Sequence, residues 1–183
     1  MEVKELGKHI VADPKICNGK PTFRGTRIMV WQVLNMLERG MDWDGIVEKW
    51  EGSITKEAIA EAIEVASNAL IEHETRRLPD SELIGEEGVV ADPLSLSLEA
   101  KALGTYLVAD PQICHGQPTF CGTRILVKTV LAMVARQMDW DRIANNWDGR
   151  VSKQAIAEAI TVASDALLRY ESLPAAELEL VNQ

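Results

Sequence analysis

The stretch VADPKICNGKPTFRGTRIMV, residues 11–30, returns as VADPQICHGQPTFCGTRILV, residues 108–127, and this recurrence decides the architecture. Working outward at the same offset of 97, residues 11–70 match residues 108–167 at 38 of 60 positions. MDWDGIVEKWEG from Met41 becomes MDWDRIANNWDG from Met138, and KEAIAEAIEVASNAL from Lys56 becomes KQAIAEAITVASDAL from Lys153. Self-similarity of this length means duplication of one supersecondary unit. The reading divides the chain into a first unit (1–80), an acidic linker (81–103), a second unit (104–174) and a tail (175–183). Fainter echoes are LPDSEL at Leu78 against LPAAEL at Leu173, and VVADP at Val89.

Within a unit, His9–Ala12 is short, partly β-branched and closed by Asp13-Pro14, which predicts a strand ended by a turn. Thr22-Phe23 and Arg27–Val30 flank Arg24-Gly25, which predicts a tight hairpin with glycine at positive φ. Val30, Val33, Leu34 and Leu37 follow helical spacing up to Gly40, a residue suited to end a helix. Gln137 replaces that glycine, so the corresponding helix end is expected to differ. Asp42 is a good cap for a short helix over Trp43–Trp50. Glu51-Gly52-Ser53 makes a turn, and Thr55 caps a long helix buried along Ile59, Ile63, Ala66 and Leu70. Ala58, Ala60, Ala62 and Ala69 favour helix and permit close packing. The fold class is therefore mainly α with a small β element: two tandem three-helix, helix-turn-helix units, each preceded by a short strand and hairpin. Two such units in one chain are expected to pack as a covalent pseudo-dimer, with a homodimer of chains as a further arrangement.

Composition excludes several classes of function. No apolar run reaches the ~18 residues of a membrane-spanning helix, and MEVKELGKHI has no apolar core of a secretory signal. Three cysteines, Cys17, Cys114 and Cys121, form no metal-binding spacing and suit reduced thiols in the cytoplasm. His9, His73 and His115 align with Tyr106, Tyr170 and Asn18, so no histidine is kept in both copies. With no paired carboxylates, nucleophile elbow or phosphate loop, the sequence predicts no enzyme, no cofactor and no metal. The net charge of -9 weighs against nucleic acid, although six of the nine excess negative charges lie in the linker and tail.

The run DPxICxGxPTFxGTRI, followed by a helix and MDWDxI, resembles the prokaryotic domain of unknown function 433 family, across both units. The resemblance implies a homeodomain-like helix-turn-helix behind a small β element. It also implies an antitoxin of the VapB type, which binds and silences a PIN-like ribonuclease toxin, with its own operator DNA as a second partner. The alternative is an interaction module of duplicated helix-turn-helix units that does not bind DNA.

Site candidates follow. The start of the long helix reads as a DNA contact in helix-turn-helix proteins, which nominates Thr55, Lys56, Ser152, Lys153 and Gln154; plain capping beside a solvated lysine is the competing reading. Arg24, Arg27 and Arg124 are candidate partner contacts, while an internal ion pair of Arg27 with Asp13 and of Arg124 with Asp110 is the duller expectation. Trp43, Trp50, Trp140 and Trp147 recur at core spacing. Trp31 aligns with Lys128, which predicts a surface position and a contact patch unique to the first unit. Glu82, Glu86, Glu87 and Asp92, with Glu177 and Glu179, are candidates for an acidic mimic of RNA in a toxin groove.

Overall fold

A computed structural model describes residues 3–75 and 100–170. The candidate mimic acids and the echoes at Leu78, Val89 and Leu173 lie outside the described residues. Each unit has the same order of elements. The first runs β1 (Lys4–Glu5), β2 (Ile10–Ala12), β3 (Pro21–Phe23), α1 (Val30–Glu38), α2 (Trp43–Lys49) and α3 (Lys56–Thr75). The second runs β4 (Lys101–Ala102), β5 (Leu107–Ala109), β6 (Pro118–Phe120), α4 (Val127–Ala135), α5 (Trp140–Asn146) and α6 (Lys153–Tyr170). No helix among the described residues is long and apolar enough to cross a membrane.

The sheet corrects the expected hairpin. β3 pairs antiparallel with β2, in the register Ile10 to Phe23, Val11 to Thr22 and Ala12 to Pro21, and β1 adds on the far side of β2. The arm over Arg27–Val30 shrinks to one bridge, Thr22 to Met29, because Val30 already begins α1. The turn itself is tight: Thr26 Oγ1 donates to Phe23 O and accepts from Ile28 N, and Gly25 takes φ 77°. Gln32 Oε1 then reaches back to Met29 N and opens the helix.

Between β2 and β3, Cys17, Asn18 and Gly19 take φ of 49°, 57° and 80° in succession. This left-handed turn costs about 1–2 kcal/mol for each residue with a Cβ. The local bonds Ile16 N to Asp13 O, Gly19 N to Ile16 O and Lys20 N to Cys17 O hold it. Cys114, His115 and Gly116 repeat it.

A second correction concerns the end of the first helix. Gly40 ends α1 at φ 77°, with its N–H on Leu37 O and Met41 N on Met36 O. Gln137 ends α4 in the same way, at φ 59°, with bonds to Val134 O and from Met138 N to Met133 O. The geometry does not differ; the packing on either side imposes it, and Gln137 bears the strain.

The long helices carry the main packing. α3 buries Ile59, Ile63, Ala66 and Leu70, as expected, and also Ala58, Ala62 and Ala69. That is a wider apolar surface than one neighbour needs. The second neighbour is α6, whose Ala155, Ala159, Ala163 and Ala166 are buried in turn. α1 packs on α6, α4 packs on α3, and both contacts are more extensive than those of α1 and α4 with the long helices of their own units. The buried residues of the two units form one continuous cluster. At one edge of it Glu74, 5% exposed, takes Lys101 Nζ at 2.6 and 2.9 Å and His73 Nδ1 at 2.9 Å. Burial raises the Glu74 carboxyl, but the bonds and charges of Lys101 and His73 outweigh it and hold the group below its usual range.

The β element is tied to the long helix by a clasp. Both carboxylate oxygens of Glu61 accept from His9 N, at 3.0 and 3.2 Å, and Glu158 accepts from Tyr106 N at 3.1 Å. The carboxylates occupy the space that a Cβ on Gly7 or Gly104 would need, so each glycine is required by a close approach.

Two stability measurements check this account. Gln137→Gly removes the left-handed strain and should stabilise by about 0.5–1 kcal/mol, read as a rise in the denaturation midpoint. Gly7→Ala should cost about 1–3 kcal/mol by expelling the Glu61 carboxylate from its bonds. Added to Glu61→Ala, it should cost much less, which a double-mutant cycle would reveal.

Candidate functional site

The residues nominated at the long-helix starts are all found in structural roles except one. Thr55 Oγ1 accepts from Ala58 N at 3.2 Å and Ser152 Oγ from Ala155 N at 3.1 Å, so both are helix caps. Lys56 Nζ meets Asp44 Oδ1 at 2.6 Å, and Lys153 Nζ meets Asp141 Oδ1 at 2.7 Å, across the turn from the preceding helix. Both pairs are substantially solvated and contribute little to stability. They nevertheless place a carboxylate beside each ammonium that was to meet a phosphate. Gln154 is exposed and makes none of these bonds.

The two helix-turn-helix segments differ in charge. The first carries Asp42, Asp44, Glu48, Glu51 and Glu57 against Lys49 and Lys56. The second carries Asp139, Asp141 and Asp148 against Arg142, Arg150 and Lys153, and balances. Along one side of α3 run Glu57, Glu61, Glu64, Asn68 and Glu72, one helical turn apart and without a cation; all are exposed except Glu61, which turns onto the β element. The backbone N–H at the helix start and the Thr55 hydroxyl keep the Glu57 carboxyl below its usual range, so it stays charged where a DNA phosphate would lie. The corresponding side of α6 carries Gln154, Glu158, Thr161, Asp165 and Arg169.

The arginine candidates separate. Arg24 is committed to the β element: Nη1 to Glu5 Oε1 at 3.0 Å, Nε to Lys8 O at 2.9 Å and Nη2 to Gly7 O at 3.3 Å. Its counterpart Cys121 reaches only Thr105 O, at 3.8 Å. Burial, then the nearby Glu158, push the Cys121 thiol up, away from thiolate reactivity. The expected ion pairs of Arg27 and Arg124 do not form. Asp13 and Asp110 instead accept from Lys15 N and Gln112 N, closing the turns after Pro14 and Pro111. Arg27 and Arg124 are exposed, and neither pairs with a carboxylate among the described residues. Among the described residues their carbonyls are engaged, by the thiols of Cys17 at 3.6 Å and Cys114 at 3.7 Å.

Trp31 lies at the surface, 37% exposed, as its replacement by Lys128 implied. Its indole N–H points to Met29 Sδ at 3.3 Å. It stands at the rim of a groove of about 80 Å³ between α1 and α6, floored by Leu34, Thr161, Ser164 and Leu168. Sequence reasoning found the tryptophan but not the groove, which exists because α1 packs across the other unit. The four recurring tryptophans pack against the core, and Trp50 and Trp147 bury indole N–H groups that meet no acceptor among the described residues.

No curated protein and no solved structure matches the chain. One family model does, twice, over residues 10–66 and 107–161, and these segments span the β2–β3 element, the helix-turn-helix and about the first half of the long helix of each unit. The chain therefore belongs to the family described as protein of unknown function DUF433, and carries its domain in two tandem copies.

Proposed function

We propose that this protein is an antitoxin-type regulator that acts by holding a protein partner, and that its first unit does not read DNA. The observation that carries the proposal is the groove between α1 and α6 with Trp31 at its rim. An exposed tryptophan beside a preformed groove, here lined by Leu34 and Leu168 together with Asn35, Glu38, Thr161, Ser164 and Asp165, is the kind of anchor that dominates protein interfaces. Both units line the groove, so the chain acts as a covalent pseudo-dimer rather than as two independent domains. Lys128 stands at the equivalent place on α4, so the chain offers one such anchor and takes one partner. The resemblance of the sequence supplies the partner's class, a PIN-like ribonuclease toxin in the cytoplasm. This reading gives the chain no catalytic role.

Operator DNA is a second reading, favoured by one observation and limited to the second unit. Arg142, Arg150 and Gln154 are exposed around its helix-turn-helix, where the first unit has Gly45, Ser53 and Glu57. R142G/R150S copies the first unit's residues and should remove any operator binding.

Pull-down of the tagged full chain from its native extract tests the main reading. A PIN-like nuclease recovered in near-equal amount, and inhibited by the purified chain, is the expected result. Trp31→Lys, the residue its sister unit uses, should weaken that complex at least tenfold with little change in melting temperature. Recovery of no nuclease would reject the antitoxin reading. An unchanged complex would remove Trp31 from the interface.

A further inference from the structure

The first β element is a cationic body on an acidic protein. From Val3 to Met29 it carries Lys4, Lys8, Lys15, Lys20, Arg24 and Arg27 against Glu5 and Asp13. The helical part of the same unit is strongly acidic. In the second unit, Thr105, Gln112, Gln117 and Cys121 replace Lys8, Lys15, Lys20 and Arg24. The two elements nevertheless share strand register, left-handed turn and clasp. The fold thus needs none of these cations. Lys8, Lys15, Lys20 and Arg27 are exposed and meet no carboxylate among the described residues. They fall at the two ends of the β2–β3 pair. Lys15 and Lys20 flank the left-handed turn, whose Cys17 thiol bonds to Arg27 O, and Arg24 N bonds to His9 O, next to Lys8.

We propose that this element of the first unit binds the phosphate backbone of nucleic acid, without reading bases. The site is separate from the groove at Trp31 and does not depend on the function proposed above. A polyanion fits the surface better than a protein does. Protein interfaces are organised around a desolvated apolar or aromatic anchor. Here the only large hydrophobic side chain exposed is Val3, and the rest of the exposed surface is charged or small and polar. Contact with phosphates needs no such anchor, because release of counterions drives it. Flexible lysines with no aromatic platform give attraction without base selection. The acidic side of α3 repels phosphate and confines the contact to the β end.

The test is fluorescence anisotropy of the full chain with a labelled single-stranded RNA and a labelled DNA duplex of about 20 nucleotides. Four phosphate contacts predict that duplex affinity falls roughly 100-fold between 50 and 200 mM salt. K8T/K15Q/K20Q takes the second unit's own residues, so it keeps the fold, which circular dichroism verifies. It should lose at least tenfold in affinity and flatten the salt slope. Binding of RNA, of DNA or of both supports the proposal and identifies the source of the phosphate. Four results would overturn it. One is no salt-dependent binding to either probe, and another is full binding by K8T/K15Q/K20Q. The third is loss of binding in R142G/R150S alone, which would assign the contact to the second helix-turn-helix. Tighter binding of polyglutamate than of either nucleic acid would also overturn it, in favour of an acidic protein.

Discussion

Packing of α3 on α6 is the contact on which the other features depend. Each long helix has one side for its own unit and another, rich in alanine, for its counterpart. Alanine gives high helix propensity and lets the two backbones approach closely. The first helix of each unit then seats on the long helix of the other, so the apolar residues close into one core. A unit of about 70 residues alone buries a smaller fraction of its surface than a larger domain does and is correspondingly marginal. Sharing a core raises that fraction. It also leaves only a narrow side of α3 facing outward, and that side is acidic. An isolated three-helix unit would present the same helix far more openly, which is why its outline alone suggested DNA reading.

The duplication separates what the fold requires from what it tolerates. Gly7 and Gly104, Glu61 and Glu158, Asp42 and Asp139, and the left-handed turns are kept in both copies, and each has a structural duty. Lys56 and Lys153 belong with them, since each faces the acid at the start of the preceding helix. Most positions that drift are on the surface, among them Trp31 against Lys128, Arg24 against Cys121, Glu57 against Gln154, and the lysines of the first β element against neutral residues, while buried Leu37 and Ile54 change only to Val134 and Val151. Two copies with the same backbone and different surfaces bind different things, or only one of them binds. The Trp31 anchor and the phosphate site follow the second alternative, and the operator reading follows the first.

Much of the fold was legible in the sequence because short-range chemistry specifies it. Asp42, Thr55 and Gly40 mark helix ends through bonds made within a few residues. The periodic apolar residues of α1 and α3 mark their buried faces. What escaped depends on long range. β1 consists of Lys4 and Glu5, with no apolar alternation, and exists only because β2 offers it an edge. The clasp joins positions 52 residues apart. Its signal was present, in a glycine and a glutamate each kept twice, but nothing local linked them. Ala58, Ala62 and Ala69 permit close packing, but nothing local in the sequence names α6 as the helix they help to cover. The expected Arg27 to Asp13 pair failed for the opposite reason: Asp13 found a nearer donor in the backbone of its own turn.

The central claim is that the two units form one cooperative body. Native-state hydrogen exchange on the full chain with Ile156→Ala tests it most directly. Ile156 is fully buried in α6, and losing its side chain should cost about 2–5 kcal/mol. The account predicts that the slowest amides of α1 and α3 lose as much protection as those of α4 and α6. Protection lost in the second unit alone, with α1 and α3 unchanged, would contradict it and make the units independent domains.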